Sequence, residues 1–100
     1  MARYKVLDKK NLPEGTMRQV IVEGIKIVLI AGSEGFYAYE DQCAHVGAPL
    51  SLGRLSGNEL TCSAHWWQYD IKTGVGINPS HCQLKKYEVT VVDEDVYIDV

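Results

Sequence analysis

Cys62-Ser63-Ala64-His65-Trp66-Trp67-Gln68-Tyr69-Asp70 opens with a thiol and an imidazole three positions apart. Cys43-Ala44-His45 sets the same pair two positions apart, with sixteen residues between His45 and Cys62. Each segment offers one sulfur and one nitrogen. In an extended or tightly turned loop both side chains of a pair bend to one side, so two facing loops supply two sulfurs and two nitrogens. That donor set suits tetrahedral zinc or a mixed-ligand iron-sulfur cluster. Zinc fingers usually group cysteines with cysteines and histidines with histidines, across a linker of about twelve residues ending in a helix. Here each segment runs Cys then His, and no helical pattern follows. A cluster with two cysteines on one iron and two histidines on the other takes one ligand for each iron from each loop, as this alternation allows.

The surrounding chain reads as short strands. Apolar and β-branched residues alternate or cluster over Tyr4 to Leu7, Arg18 to Val22, Lys26 to Ala31, Gly35 to Tyr39, Leu60 to Ser63 and Trp67 to Ile71. Tyr87 to Val92 and Val96 to Val100, separated by Asp93-Glu94-Asp95, read as a terminal hairpin, and Gly24 marks a turn. Only Asn11-Leu12-Pro13-Glu14 suggests a helical turn, with Pro13 preset for a helix start. The chain is therefore expected to be all-β. Residues 41–55 and 74–79, rich in Gly, Pro and Ser, read as loops held by something other than strand pairing.

Composition narrows the function classes. The 100 residues are 46% hydrophobic and 23% charged, as expected of one globular domain. The formal net charge of -3, with acids at Glu34, Glu40, Asp41, Asp93, Glu94, Asp95 and Asp99, leaves no basic stripe for nucleic acid. No apolar run approaches the roughly 20 residues of a membrane span, and Met1-Ala2-Arg3-Tyr4-Lys5-Val6 lacks a signal-peptide apolar core. A cytoplasmic protein without a membrane partner is expected. Three cysteines, an odd number and each near a histidine, point to a metal or redox site rather than a disulfide framework. Cys82 reads as a buried small hydrophobe and His81 as structural or surface.

With these residues in view, the sequence resembles the Rieske family, whose pattern is Cys-x-His, about fifteen to seventeen residues, then Cys-x-x-His. Asp41, Gly47, Pro49, the aromatic stretch from His65 to Asp70 and Thr73-Gly74 extend the resemblance. More closely, Leu60 to His65 and Gly76-Ile77-Asn78-Pro79 with Cys82 resemble the ferredoxins of toluene 4-monooxygenase and related diiron monooxygenases. Ferredoxins of ring-hydroxylating dioxygenases share the ligands but usually carry Pro where Ser63 stands.

The resemblance implies one Rieske domain over residues 1–100. An antiparallel β-sandwich base would span about residues 1–40 and 84–100, with a cluster-binding subdomain inserted at about 41–83. It implies one 2Fe-2S cluster held by Cys43, His45, Cys62 and His65, with Trp67, Tyr69, Gly47, Pro49 and Pro79 around it. The two cysteines that form a disulfide in high-potential relatives are replaced by Ala48 and Ala64, and a serine hydroxyl donor by Trp67, whereas Tyr69 keeps a tyrosine. These changes imply a potential toward the low end of the Rieske range, about -150 mV. The implied role is not enzymatic. It is electron transfer, by a chain monomeric in isolation, from an NADH-dependent flavin and iron-sulfur reductase to a diiron monooxygenase hydroxylase acting on an aromatic or alkene substrate. The alternatives are a ring-hydroxylating dioxygenase ferredoxin, a nitrite reductase small subunit and a structural zinc module. Glu40 and Asp41 are expected to help steer a docking partner.

Overall fold

The computed structural model describes residues 2–42, 49–62, 66–78 and 83–100. Among the described residues ten strands run in chain order: β1 (Arg3–Asp8), β2 (Met17–Val22), β3 (Ile25–Gly32), β4 (Gly35–Glu40), β5 (Arg54–Ser56), β6 (Glu59–Thr61), β7 (Gln68–Asp70), β8 (Gly76–Asn78), β9 (Lys86–Val92) and β10 (Asp95–Asp99). They form a six-stranded sheet in the order β1-β10-β9-β4-β3-β2 and a four-stranded sheet in the order β5-β6-β7-β8. Every strand pairing between them is antiparallel. The all-β expectation holds, and no helix among the described residues is long and apolar enough to cross a membrane.

The centre of this arrangement is β3, where Ile27-Val28-Leu29-Ile30-Ala31 is buried on both faces. Successive side chains of a strand point opposite ways, so the run feeds two cores. Ile27, Leu29 and Ala31 join Leu7, Leu12, Val22, Ala38, Tyr87, Val96 and Ile98. Val28 and Ile30 join Tyr39, Leu50, Leu60, Cys62, Tyr69, Ile71 and Leu84. β4 divides in the same way, with Ala38 on the first side and Tyr39 on the second. The small sheet thus shares its core with one face of β3 and β4.

Tight turns set the registers. Val22 pairs with Ile25 across Glu23 and Gly24, whose φ angles of 52° and 78° are the pair of positive values that a type I′ hairpin needs. The terminal hairpin turns at Asp93 and Glu94, and Asp95 already pairs with Val92. Lys5 Nζ lies 3.0 Å from both Asp8 and Asp95, which keeps this acidic turn against β1.

Three local expectations change. The helical turn falls at Lys9–Asn11 rather than at residues 11–14. A residue preceding proline is driven out of the helical region, and Leu12 adopts φ -136° and ψ 86°, so the turn closes before Pro13. Residues 41–55 and 74–79 are not all loop: they contain a 3-10 turn at Leu50–Leu52, the first two residues of β5 and the strand β8. Strands of three residues are too short to display an alternation. Trp67 and Ile71 lie outside β7, which is confined to Gln68–Asp70.

Tyr39 joins the two sheets, donating its hydroxyl hydrogen to the carbonyl oxygen of Ile71 at 2.5 Å. Burial first, and the nearby Asp70 carboxylate second, raise the phenol above its ordinary range. Its ring also sets the space at Gly74, whose φ is 76° and where a Cβ would come within 2.6 Å of the ring. Tyr39→Phe is expected to lower the unfolding free energy by about 1–2 kcal/mol, since the Ile71 carbonyl loses its buried donor. Because the folded phenol resists ionisation, its contribution is complete below about pH 10 and falls as pH rises further. Chemical denaturation at pH 7 and at alkaline pH checks both, with the Phe variant showing the weaker alkaline decline.

Candidate metal centre

Of the four sequence-assigned ligands, Cys62 lies among the described residues; Cys43, His45 and His65 lie outside them, as do Gly47, Pro79, His81 and Cys82. Cys62 follows directly on β6 and is fully buried, in one cluster with Leu50, Leu60, Tyr69 and Leu84. Its N–H donates to the carbonyl oxygen of Trp67 at 2.7 Å, which carries the β6–β7 ladder one step beyond the Thr61–Gln68 pair. The chain therefore leaves the sheet at Cys62 and re-enters it at Trp67, and the Cys-x-x-His segment is the connection. An ionised thiolate in such a place is costly unless a cation or metal takes it up.

The two tryptophans part company at this connection. Trp66 is 67% exposed and has φ 60°, a left-handed conformation that is unusual for a bulky aromatic residue. Trp67 is half-buried and packs against the cluster that holds Cys62. The division arises at the turn at Trp66, since neither residue lies in a strand. Tyr69, in β7 opposite Leu60, is wholly buried in the same cluster.

The Cys-x-His segment lies between two described anchors. At its start, Asp41 N–H donates to the Lys26 carbonyl oxygen at 2.9 Å, extending the β3–β4 pairing. At its end stand Pro49 and the Leu50–Leu52 turn, which closes through Gly53 N–H to the Leu50 carbonyl oxygen at 2.9 Å. Gly53 lies against β6: a Cβ there would come within 2.1 Å of the Thr61 carbonyl oxygen, one residue before Cys62. The return from the first segment is thus pressed against the strand that leads into the second. Only glycine permits that approach. Composition flagged this Gly as loop material, but nothing in the sequence revealed its neighbour.

Asp41 is placed otherwise than expected. It is 5% exposed, and its carboxylate accepts hydrogen bonds from Gln19 Nε2 at 2.6 Å, Ser51 N–H at 2.7 Å and Ser51 Oγ at 2.7 Å. A carboxylate withdrawn from water and engaged by three protein donors is not presented to a partner, so its assignment to steering is corrected. Gln19 and Ser51 were not singled out from the sequence, because a polar residue gives no sign of which distant group it will meet.

Comparison with known proteins bears on this geometry. The family model of the Rieske [2Fe-2S] domain matches residues 2–88. The ferredoxin component of the naphthalene 1,2-dioxygenase system of Pseudomonas aeruginosa is 33% identical over 91 residues, covering 90% of this chain and 88% of that protein. The biphenyl dioxygenase ferredoxin subunit of Pseudomonas sp. (strain KKS102) is 31% identical over 101 residues, covering 99% and 93%. A solved chain from the complex of reduced oxygenase and oxidized ferredoxin in carbazole 1,9a-dioxygenase superposes with a TM-score of 0.89 at 32% identity, covering 96% of this chain and 91% of that one.

The contrast between the tryptophans is measurable. Trp67→Ala is expected to cost about 2 kcal/mol of stability through lost packing. Trp66→Gly is expected to stay within about 1 kcal/mol of the parent, because relief of the left-handed strain offsets the entropy lost with glycine. Urea unfolding of both variants checks the pair, and equal losses would contradict the placement.

Proposed function

This chain belongs to the Rieske [2Fe-2S] domain family, and on that premise we propose that it is a ferredoxin passing single electrons from an NADH-dependent flavin and iron-sulfur reductase to the oxygenase component of an aromatic-hydroxylating system. Its cofactor is one Rieske 2Fe-2S cluster, which when bound supplies a one-electron couple. The observation that carries the reading is similarity to two dioxygenase ferredoxin components over 88% and 93% of their lengths.

We assign Cys43 and Cys62 to one iron and His45 and His65 to the other. The donor set fits: two thiolates and two imidazoles in two Cys-then-His segments, with Cys62 in a buried position where coordination offsets the cost of its charge. Leu50, Leu60 and Tyr69 keep water from the Cys62 side, and the Cys62–Trp67 hydrogen bond fixes where the connection bearing His65 begins and ends.

The relatives move the preferred partner. A monooxygenase hydroxylase was expected from the resemblance at Leu60 to His65 and Gly76 to Pro79, but the similar proteins described above serve naphthalene, biphenyl and carbazole dioxygenases. A ring-hydroxylating dioxygenase therefore takes first place. The monooxygenase remains the second reading, favoured by Gly76-Ile77-Asn78-Pro79 followed by Cys82.

Reconstitution tests the choice. The purified chain, reduced by NADH and a reductase, is offered in turn to a dioxygenase oxygenase and to a diiron hydroxylase, and product formation is followed. Turnover with the dioxygenase in excess over the diiron hydroxylase is expected. The reverse preference would install the second reading, and turnover with neither would remove oxygenase service altogether.

A further inference from the structure

We propose that Asp41 is a positioning residue for the first ligand segment: its carboxylate clamps the two ends of the connection from residue 42 to residue 50. The inference rests on the ligand assignment proposed above. Asp41 leaves β4 at the start of the connection and Ser51 lies at its end. Their junction is direct, since Oδ1 accepts from Ser51 N–H at 2.7 Å and Oδ2 from Ser51 Oγ at 2.7 Å. The side chain thus closes the loop across ten residues of sequence.

Two further contacts fix the clamp to the frame. Gln19 of β2 donates to Oδ2 at 2.6 Å, and Asp41 N–H is held by the Lys26 carbonyl oxygen on β3 at 2.9 Å. The clamp therefore sits on the face of a sheet rather than on another loop. Such charge-assisted hydrogen bonds are among the stronger neutral-to-ion contacts, and a buried carboxylate is retained only where its acceptor capacity is met. An apolar residue would fill the space without joining the two ends.

The consequence concerns entropy. Two ligands from one segment bind a metal cluster more tightly when the ends of that segment are already held together, because less freedom remains to be lost on binding. Residues that orient ligands without touching the metal typically alter metal affinity by about 10–100-fold when removed. Asp41 fits that class: its contacts are all to protein, and its backbone is two residues from Cys43. Gly53, pressed on the Thr61 carbonyl oxygen, then couples the clamped turn to the strand ahead of Cys62.

The test compares Asp41→Ala, Asp41→Asn and Ser51→Ala with a destabilised control, Val96→Ala, whose site lies in the other core. Each holoprotein is challenged with an iron chelator and bleaching of the visible absorption is timed; unfolding of each apoprotein is measured alongside. Asp41→Ala is expected to lose its cluster at least about tenfold faster than the parent. Asp41→Asn, which keeps an oxygen for the Ser51 N–H, and Ser51→Ala should fall between. Freshly loaded and dithionite-reduced Asp41→Ala should also show broadened EPR lines, since its ligand geometry is less uniform, whereas Val96→Ala should keep the parent's line shape and release rate. Parent-like release and line shape in both Asp41 variants, or the same acceleration in Val96→Ala, would overturn the inference while leaving the ferredoxin reading intact. A parent that binds no 2Fe-2S cluster would overturn both.

Discussion

The small sheet depends on the face that β3 and β4 lend to it. Its three-residue strands cannot enclose a core alone, and the buried cluster around Cys62 is completed by Val28, Ile30 and Tyr39 from the large sheet. Tyr39 makes this dependence specific, because its hydroxyl is tied to the Ile71 carbonyl oxygen just beyond β7 and its ring excludes any side chain at Gly74. Apolar packing alone is tolerant of small slides between layers; a buried hydrogen bond with one partner is not.

From that fixed relation the site follows. β4 ends at Glu40, beside Asp41, and β6 ends at Thr61, beside Cys62, so the segments carrying the Cys-x-His and Cys-x-x-His motifs both start from strands that border the shared core. Each segment is closed at its base by hydrogen bonds among described residues: Asp41 with Ser51 for the first, Cys62 with Trp67 for the second. Gly53 brings the base of one against the base of the other. A frame that controls where two loops begin and end, rather than a pocket, suits a protein whose proposed work is to hold a redox centre and meet a partner.

Much of this was legible in the sequence, for physical reasons that differ by feature. The long strands showed themselves through alternation, and the unbroken run Ile27 to Ala31 is the mark of a strand buried on both sides. The Cys-x-His and Cys-x-x-His motifs, proposed above as ligands, stood out because coordination demands particular donors at short spacing. β5 and β8 were not, being too short for a pattern. Asp41 was misjudged because a charged residue is ordinarily exposed, and its burial depends on Gln19 and Ser51, 22 and 10 residues away. The partner class was moved by the relatives, since a motif such as Gly76 to Pro79 describes the carrier and not the surface that receives the electron.

The most direct measurement is iron and zinc analysis of the purified protein together with low-temperature EPR after dithionite reduction. Two irons per chain and a reduced signal of low average g-value, as histidine-ligated 2Fe-2S clusters give, is the predicted result. A colourless protein with one zinc and no EPR signal would contradict the account at its centre.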